Sequence, residues 1–362
     1  GLVASIAYFV GFDLDIQTAR NVARRSVFNA HLSNQIVWSA GALAIAGVAA
    51  GWWSSTGLPS ASVTVLMAVL ATDYLLQEVT RVFLGLGRYH AANLTQFARI
   101  GLWPGAILVG MLFFGVVVEG IDIILRYWVA ANVIATLAAL GVVGASLRSF
   151  RFVPSLRLFR AGLRRQALIF SSSLVLLLFA GLDRVLLSTS AEGGYIAAYV
   201  LFGSIYGAVL TIIYSGLVNP FFSGLADKSV PLVEKRRVLR RFGLAAVGVA
   251  VVALVSLRIA VRWLLEWLGR EEYLDMGYLQ GYFIAFVLIS VLGLIPHFAL
   301  FARRLDRSIA TAALAATLVF FASWLTLSRF GIGDAMPITL CLSAAVLGTA
   351  KALILRRDHA TG

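Results

Sequence analysis

Eleven apolar runs dominate this sequence and limit the folds that it can adopt. A helix that crosses a lipid bilayer needs about 20 mostly apolar residues, and each run is close to or above that length. The runs lie at residues 1–19, 33–53, 60–80, 97–118, 125–146, 166–188, 195–222, 242–264, 278–300, 309–328 and 336–355. The sequence therefore predicts an all-α polytopic membrane protein with about eleven transmembrane helices.

The loops between these runs alternate in charge. Most of the 30 Lys and Arg residues lie in every second loop, whereas the intervening loops are short and neutral or acidic. Because short cytoplasmic loops are enriched in Lys and Arg, we expect the basic loops, such as the one from Arg148 to Arg165, to face the cytoplasm. The loop that contains Glu266 and Glu271 then lies on the opposite side.

The composition excludes other classes of protein. Only 13% of the residues are charged and 60% are apolar, whereas about a quarter of the residues of a typical soluble domain are charged. A net charge of +13 could suit nucleic acid, but the basic residues are spread over short loops and not gathered on one soluble face. With one cysteine, Cys341, and four histidines without ligand spacing, we expect no metal and no other cofactor.

A basic segment divides the sequence into two halves. We predict an N-terminal lobe at 1–147 with about five transmembrane helices, a basic cytoplasmic linker at 148–165, a C-terminal lobe at 166–357 with six, and a cytoplasmic tail at 358–362. If the first run crosses from outside to inside, Gly1 lies outside the membrane. We then expect one further helix to precede it.

Two apolar runs end in a short basic turn at corresponding places in the two halves. One ends at Gly87 and Arg88, and the other at Arg303 and Arg304. Related halves are common in transporters with this number of helices. The pattern is that expected of an internal repeat.

Short motifs in both halves resemble a known family. Residues 11–15, with the sequence Gly-Phe-Asp-Leu-Asp, are followed by Arg20 and Arg24. They are similar to the exit of the second helix in bacterial polysaccharide and O-antigen flippases of the multidrug/oligosaccharidyl-lipid/polysaccharide exporter superfamily. A second set of residues resembles the family's seventh helix and the start of its eighth. It consists of Ser171, Ser172, Ser173, Leu182, Asp183, Arg184, Gly194, Tyr195, Ala198 and Tyr199. The resemblance begins at the family's second helix, so we expect its first helix to be missing from this sequence.

This resemblance implies a function. It implies two six-helix lobes in the bacterial inner membrane, which expose a central cavity alternately to each leaflet. The implied cargo is an undecaprenyl-pyrophosphate-linked oligosaccharide, flipped from the inner to the outer leaflet for surface polysaccharide such as lipopolysaccharide. A proton or sodium gradient is the implied driving force. The implied partners are the lipid bilayer, the lipid-linked oligosaccharide, a polysaccharide polymerase and other assembly proteins.

Polar residues inside the run at 60–80 and at its end are the first candidates for contact with cargo. An anionic head group needs cationic and hydrogen-bonding groups at membrane depth. Asp73, Gln77 and Arg81 recur at i, i+4 and i+8 and therefore share one helix face, with Glu78 beside them. We expect this polar stripe to line the cavity. In the alternative, Asp73 and Gln77 make interhelical contacts while Glu78 and Arg81 extend to the cytoplasmic interface.

Asp183 and Arg184 are candidates near the outer end of the run at 166–188. Sequence neighbours on a helix point about 100° apart, so each residue needs a different partner. One interpretation is an outer pair that holds the lobes together. The other makes Asp183 part of a proton or sodium relay and Arg184 a ligand of the head group.

Three further arginines depart from the charge rule or lie beside a proline. Arg258 and Arg262 share one helix face near the outer side, where they could line an exit path, and Arg262 could instead pair with Glu266. Arg99 precedes Pro104, which is expected to kink its helix near the cytoplasmic start. Kinks are also expected at Pro220 and Pro296.

Two other functions stay open. Asp13 and Asp15 match the Asp-x-Asp pattern of many glycosyltransferases, which would indicate a membrane-embedded transferase or polymerase of the same pathway. An exporter of amphipathic drugs or of a lipid-linked peptidoglycan precursor is the second alternative. The charge of the cavity separates these exporters, because a drug exporter prefers acidic walls and a pyrophosphate carrier basic ones.

Overall fold

The computed structural model describes residues 25–54, 60–115, 120–146, 150–163, 167, 181–189, 191–218, 221, 225, 230–267 and 269–361. Within these residues the regular structure is entirely helical, as the apolar runs predict. The chain divides into two units, Gly1–Ala167 and Leu168–Gly362. This division falls just after the predicted linker at 148–165.

The first unit is built around one central helix, α2. The elements are α1 (Arg25–Ser54), α2 (Ser60–Gly85), α3 (Tyr89–Phe97), the π-helix π1 (Ala98–Leu102), α4 (Trp103–Phe114) and α5 (Ile121–Ser146). Helix α2 packs against α1, α3, π1 and α5. The apolar core between them includes Leu76, Phe83, Ala92 and Ala139. This packing places the predicted polar stripe of α2 inside the unit.

The second unit is built in the same way around α9. Its elements are α6 (Asp183–Ser188), α7 (Gly193–Ile212), the π-helix π2 (Ile213–Val218), α8 (Leu232–Trp267), a 3-10 helix (Glu271–Met276), α9 (Leu279–Ala302), α10 (Asp306–Arg329) and α11 (Ala335–Thr361). Helix α9 packs against α7, α8, α10 and α11. Gly293 of α9 faces Gly348 of α11, where an added Cβ would lie 3.4 Å from the facing Cα. Two glycines thus let these helices approach closely, as small residues do in membrane helix pairs.

Seven of the described helical segments are long and apolar enough to cross a membrane. They are Tyr89–Phe114, Asp122–Gly144, Gly193–Val218, Val233–Trp267, Leu279–Ala302, Asp306–Arg329 and Ala335–Asp358. The predicted runs at 33–53 and 60–80 also form helix, in α1 and α2. The run at 1–19 and most of the run at 166–188 lie outside the described residues. A polytopic helical membrane chain is confirmed, and the total of about eleven spans stays a prediction.

Helix α8 is longer than its apolar run predicts. The run at 242–264 was expected to follow a basic loop, but Lys235 and Arg241 both lie within α8, which has 36 residues. A helix of that length extends about 54 Å, whereas the hydrocarbon core is about 30 Å thick. The basic first turns of α8 therefore project beyond the apolar layer, on the side predicted to be cytoplasmic.

The predicted linker is attached to α1 through its backbone. The Val153 N–H donates to Ser33 Oγ at 2.9 Å, and the Ser155 N–H donates to Asn34 Oδ1 at 2.9 Å. The Asn34 amide returns a hydrogen bond to the Ser155 carbonyl at 3.1 Å. The ring of Phe159, in a short helix at 156–163, lies 5.8 Å from that of Trp38. This part of the linker thus belongs structurally to the first unit.

Two of the three prolines expected to kink a helix follow a π-helical segment, and the third lies within a continuous α-helix. Pro104 has no N–H to donate to the carbonyl four residues earlier. The π-helix π1 ends two residues before it, at Leu102, so the distortion predicted near Pro104 takes the form of a π-helix. Likewise π2 ends at Val218, two residues before Pro220, which itself lies outside the described residues. Pro296, by contrast, lies within α9, and that helix continues through it from Leu279 to Ala302.

The two basic turns predicted to correspond have the same backbone geometry. After α2, the Arg88 N–H donates to the Phe83 carbonyl and the Gly87 N–H to that of Leu84; after α9, Leu305 bonds to Leu300 and Arg304 to Phe301. Both are the paired 6→1 and 5→2 bonds of a Schellman motif. The left-handed position is Gly87, with φ 71°, in one turn and Arg304, with φ 63°, in the other. The same motif also ends α8 at Gly269 and α10 at Gly331, so it is not particular to these two turns, and the internal repeat stays a prediction.

We predict that Gly348→Leu destabilises the second unit, because the new side chain meets the backbone of Gly293. Overpacking of this kind costs about 1 to 3 kcal/mol. The measurement is thermal unfolding of the purified chain in detergent. Gly248→Leu is the control, since an added Cβ at that exposed position of α8 has nothing within 4 Å. Equal melting temperatures for the two variants would contradict the close approach.

Candidate functional site

A buried ion pair lies at the centre of the first unit. Arg99, in π1, directs its Nε to Asp73 Oδ1 of α2 at 3.9 Å. Both side chains are almost fully enclosed, at 12% and 3% exposure. The separation is longer than that of a strong charge-assisted hydrogen bond, which is about 2.7 to 2.9 Å. The two charges therefore neutralise each other only loosely.

A neutral polar group of α5 lies beside this pair, and other buried polar groups follow at helical spacing on α2 and α5. Asn132 lies beside the Asp73 carboxylate and is fully buried. Thr136 lies one turn further along α5, and Trp128 lies one turn earlier, with its ring stacked 4.9 Å from that of Trp103. We call the following set the first-unit polar cluster: Asp73, Gln77, Arg99, Trp128, Asn132 and Thr136.

This cluster holds buried polar atoms that bond to no described group. They are Asp73 Oδ2, Gln77 Oε1, Arg99 Nη1, Trp128 Nε1, both amide atoms of Asn132 and Thr136 Oγ1. In folded proteins about 90% or more of buried polar groups have a partner. A concentration of unpaired atoms on three adjoining helical segments therefore indicates a site for a small polar guest. The carboxylate oxygen can take a proton or a cation, and the guanidinium can bind an anion.

The rest of the predicted stripe forms a separate group. Glu78 accepts hydrogen bonds from Arg81 Nη1 and from Gln35 Nε2 of α1, each at 2.5 Å. Glu78 and Arg81 are each only 8% exposed. Next to them, the Tyr74 and Ser39 hydroxyls lie 2.7 Å apart. Glu78 and Arg81 are thus enclosed within the first unit and tie α2 to α1.

In the second unit, Asp183 and Arg184 have different partners, as their sequence positions predict. Asp183 is buried at 4% exposure, and its Oδ2 accepts a hydrogen bond from the Tyr199 hydroxyl at 2.6 Å. Its Oδ1 has no partner among the described residues. Arg184 donates to Ser204 Oγ of α7 at 3.4 Å. Asp183 is therefore held inside the unit by a neutral phenol.

Arg258 and Arg262 occupy different surroundings although they lie one turn apart on α8. Arg258 Nη1 donates to Gln280 Oε1 of α9 at 2.9 Å, and the same oxygen accepts a hydrogen bond from the buried Tyr206 at 3.0 Å. Arg262 is exposed and bonds to Glu266 at 2.8 Å, which confirms the predicted i, i+4 pairing. The two arginines thus form no common surface group.

An aspartate that sequence reasoning did not select gathers tyrosines in the second unit. Asp334 accepts hydrogen bonds from Tyr195 at 3.2 Å and Tyr282 at 3.3 Å. Tyr278 lies nearby, just before α9. Tyr195 and Tyr199 both belong to the motif that carried the family resemblance, and each donates to a carboxylate. The motif therefore has a structural role in fixing Asp334 and Asp183.

Comparison with known proteins places this geometry in a fold family. No family model matches the sequence, and no curated protein matches it. Solved structures do match. One is a MATE mutant, with TM-score 0.66, 11% identity and coverage of 99% of this chain and 85% of that chain.

Two further solved structures are similar to this chain over nearly its whole length. An outward-facing multidrug resistance MATE family transporter of the MOP superfamily has TM-score 0.62 and 12% identity, over 99% of this chain and 85% of that one. A MOP superfamily transporter from Pyrococcus furiosus, described as having reversed binding-pocket polarity, has TM-score 0.61, 12% identity and the same coverage. The chain has the fold of MATE transporters. At these identities the likeness shows the fold alone.

We predict that Arg99→Gln destabilises the chain more than Asp73→Asn/Arg99→Gln does. The single change leaves Asp73 as an unneutralised buried charge, and breaking a buried pair in this way costs about 3 kcal/mol or more. The double change removes both charges and restores part of the loss. Chemical or thermal unfolding in detergent measures the difference. Arg262→Gln is the control: because its ion pair is exposed, it should change the free energy of unfolding by about 0.5 kcal/mol at most. A double variant less stable than Arg99→Gln would refute the Asp73–Arg99 pairing.

Proposed function

We propose that the chain is an alternating-access transporter that flips an undecaprenyl-pyrophosphate-linked oligosaccharide from the inner to the outer leaflet. The proposal places it in the bacterial inner membrane, in the biosynthesis of surface polysaccharide such as lipopolysaccharide. It joins the transporter fold to the family resemblance of the sequence motifs. A polysaccharide polymerase and other assembly proteins are the proposed partners.

The observation that carries this proposal is the pairing of two arginines with neutral groups. Arg184 bonds to a serine hydroxyl and Arg258 to an amide oxygen. Neither forms an ion pair with a carboxylate of the described residues. Their positive charges therefore stay available to a third group, and a pyrophosphate meets that need with charge-assisted hydrogen bonds. A cargo without negative charge would make no use of them.

Two buried carboxylates supply a means of coupling transport to an ion gradient. Asp73 and Asp183 each have one oxygen without a described partner. A carboxylate buried at membrane depth is stabilised by a proton, a cation or a hydrogen-bond donor. We propose that uptake and release of a proton or sodium ion at one of these groups drives the change of access.

Export of an amphipathic drug or of a lipid-linked peptidoglycan precursor is the alternative proposal. The same two carboxylates favour it, because acidic groups attract cationic drugs. One of the structures similar to this chain is described as a multidrug resistance transporter. Cargo charge distinguishes the two: the flippase proposal requires an anionic cargo, and the drug proposal a cationic one.

Deletion of the gene tests the flippase proposal directly. Lipid-linked repeat units should accumulate on the cytoplasmic leaflet while their synthesis continues. Loss of their synthesis would instead indicate an enzyme. Unchanged surface polysaccharide together with increased sensitivity to cationic drugs would indicate the alternative.

We predict that Arg258→Gln lowers flipping of a fluorescent polyprenyl-pyrophosphate oligosaccharide in proteoliposomes by about tenfold or more. Removal of one partner from a charge-assisted hydrogen bond costs about 1.5 to 3 kcal/mol. Arg262→Gln is the matched control. It removes the same charge one helical turn along α8, at a residue that is exposed and already paired with Glu266. An equal loss in both variants would show a general effect of charge on α8.

We also predict that Asp183→Asn and Arg184→Ala each reduce surface polysaccharide in cells. The first removes the ionisable group bonded to Tyr199, and the second removes a cation without a carboxylate partner. Immunoblots of polysaccharide, corrected for the amount of membrane-inserted protein, give the measurement. Normal polysaccharide in both variants would refute these two roles.

A further inference from the structure

A cleft opens at the end of the second unit where α8 begins and α9 ends. It has a volume of about 220 Å³ and is lined by Lys235, Arg236, Leu239, Ala299, Ala302, Arg303 and Leu355. The lining comes from the first turns of α8, the last turn and exit of α9, and the later part of α11. We call it the basic cleft.

The charge of the basic cleft is positive. Lys235, Arg236 and Arg303 line it, and the lining includes no carboxylate. Arg303 also forms an ion pair with Asp358 of α11, next to the cleft. That carboxylate fixes the guanidinium and offsets one of the three positive charges. The lining residues taken together with Asp358 thus carry a net positive charge.

The floor of the basic cleft is apolar. Leu239, Ala299, Ala302 and Leu355 present only hydrocarbon to it. Lys235 is 6% exposed, so nearly the whole of its side chain is enclosed beside them, and Arg236 is the exposed cation of the lining. A free phosphate ion gains nothing from such a surface, whereas a lipid places its phosphate against the cations and its first methylene groups against the floor.

The position of the basic cleft fits the membrane surface. It lies where the long helix α8 emerges from the apolar layer and where the loops are most basic, on the side predicted to be cytoplasmic. Basic pockets between transmembrane helices at that surface bind anionic lipid head groups. With the predicted topology, the cleft meets the phosphate layer of the inner leaflet.

We propose that the basic cleft is a binding site for the phosphate head group of an anionic membrane phospholipid. Lys235 and Arg236 hold the phosphate, Arg303 supports them, and the apolar floor receives the start of the acyl chains. This site lies at the surface of the second unit and does not depend on the identity of the transported cargo.

Titration of the purified full chain with dioleoyl phosphatidylglycerol, in neutral detergent, tests the proposal. Unfolding temperature should rise and reach a plateau, and dioleoyl phosphatidylcholine should raise it much less. Lys235→Gln/Arg236→Gln should weaken the apparent affinity by about tenfold or more, since each basic residue near a membrane surface contributes about fivefold. Arg237→Gln/Arg241→Gln removes the same charge from exposed positions of α8 outside the cleft and should change the affinity by less than about twofold.

Further variants and probes distinguish the occupants. Ala302→Leu fills the cleft and keeps all three cations, so unchanged phosphatidylglycerol binding in this variant would overturn the site. Equal weakening by the two double substitutions would show attraction by the whole basic face and would also overturn it. A plateau produced equally by inorganic phosphate would overturn the lipid assignment. Competition by undecaprenyl pyrophosphate at far lower concentration than phosphatidylglycerol would assign the cleft to a cargo lipid and contradict the proposal as stated.

Discussion

Exclusion of water from the bilayer is the constraint on which the rest of this structure depends. A backbone in hydrocarbon must satisfy its own hydrogen bonds, and continuous helices do so. Polar side chains in the same layer must then find partners on neighbouring helices, because water does not supply them. The buried groups of α2 follow this rule in part: Glu78 is fully engaged by Arg81 and Gln35. Asp73, five residues earlier on the same helix, and Arg99 of π1 are left with unpaired atoms.

This contrast separates structural polar groups from candidate functional ones. Glu78 has donors at 2.5 Å on both oxygens, so its network fixes α1 against α2 and neither oxygen is left without a partner. The Asp73–Arg99 pair is long, and its neighbour Asn132 bonds to no described group. Arg99 lies in π1, where the helix is already distorted beside Pro104. Distorted helical segments in membrane proteins are tolerated where they are buried in protein or line a cavity, so the same local irregularity positions the arginine.

The sequence predicted the features that depend on local pattern. Apolar length located the spans, and i, i+4 spacing predicted the Arg262–Glu266 pair. The start of α8 was missed because its basic turns lack an apolar signal, although Lys and Arg are good helix formers. The partner of Asp73 was missed because Arg99 lies on another helical segment, and helix periodicity does not predict tertiary contacts. Trp128, Asn132 and Thr136 recur at i, i+4 and i+8 on α5, but they carry no charge, so a search for costly charges in apolar runs passed over them.

The two units solve the problem of a buried carboxylate differently. In the first, Asp73 faces a cation. In the second, Asp183 faces the phenol of Tyr199, while Arg184 and Arg258 bond to neutral groups. Binding of a proton at Asp73 would remove the charge that neutralises Arg99 and so leave that cation to attract an anion. Binding of a proton at Asp183 would remove a negative charge and release no cation. If transport is coupled to protons, the first unit can therefore exchange a proton for attraction of an anionic head group, whereas Asp183 can change only the net charge of its surroundings.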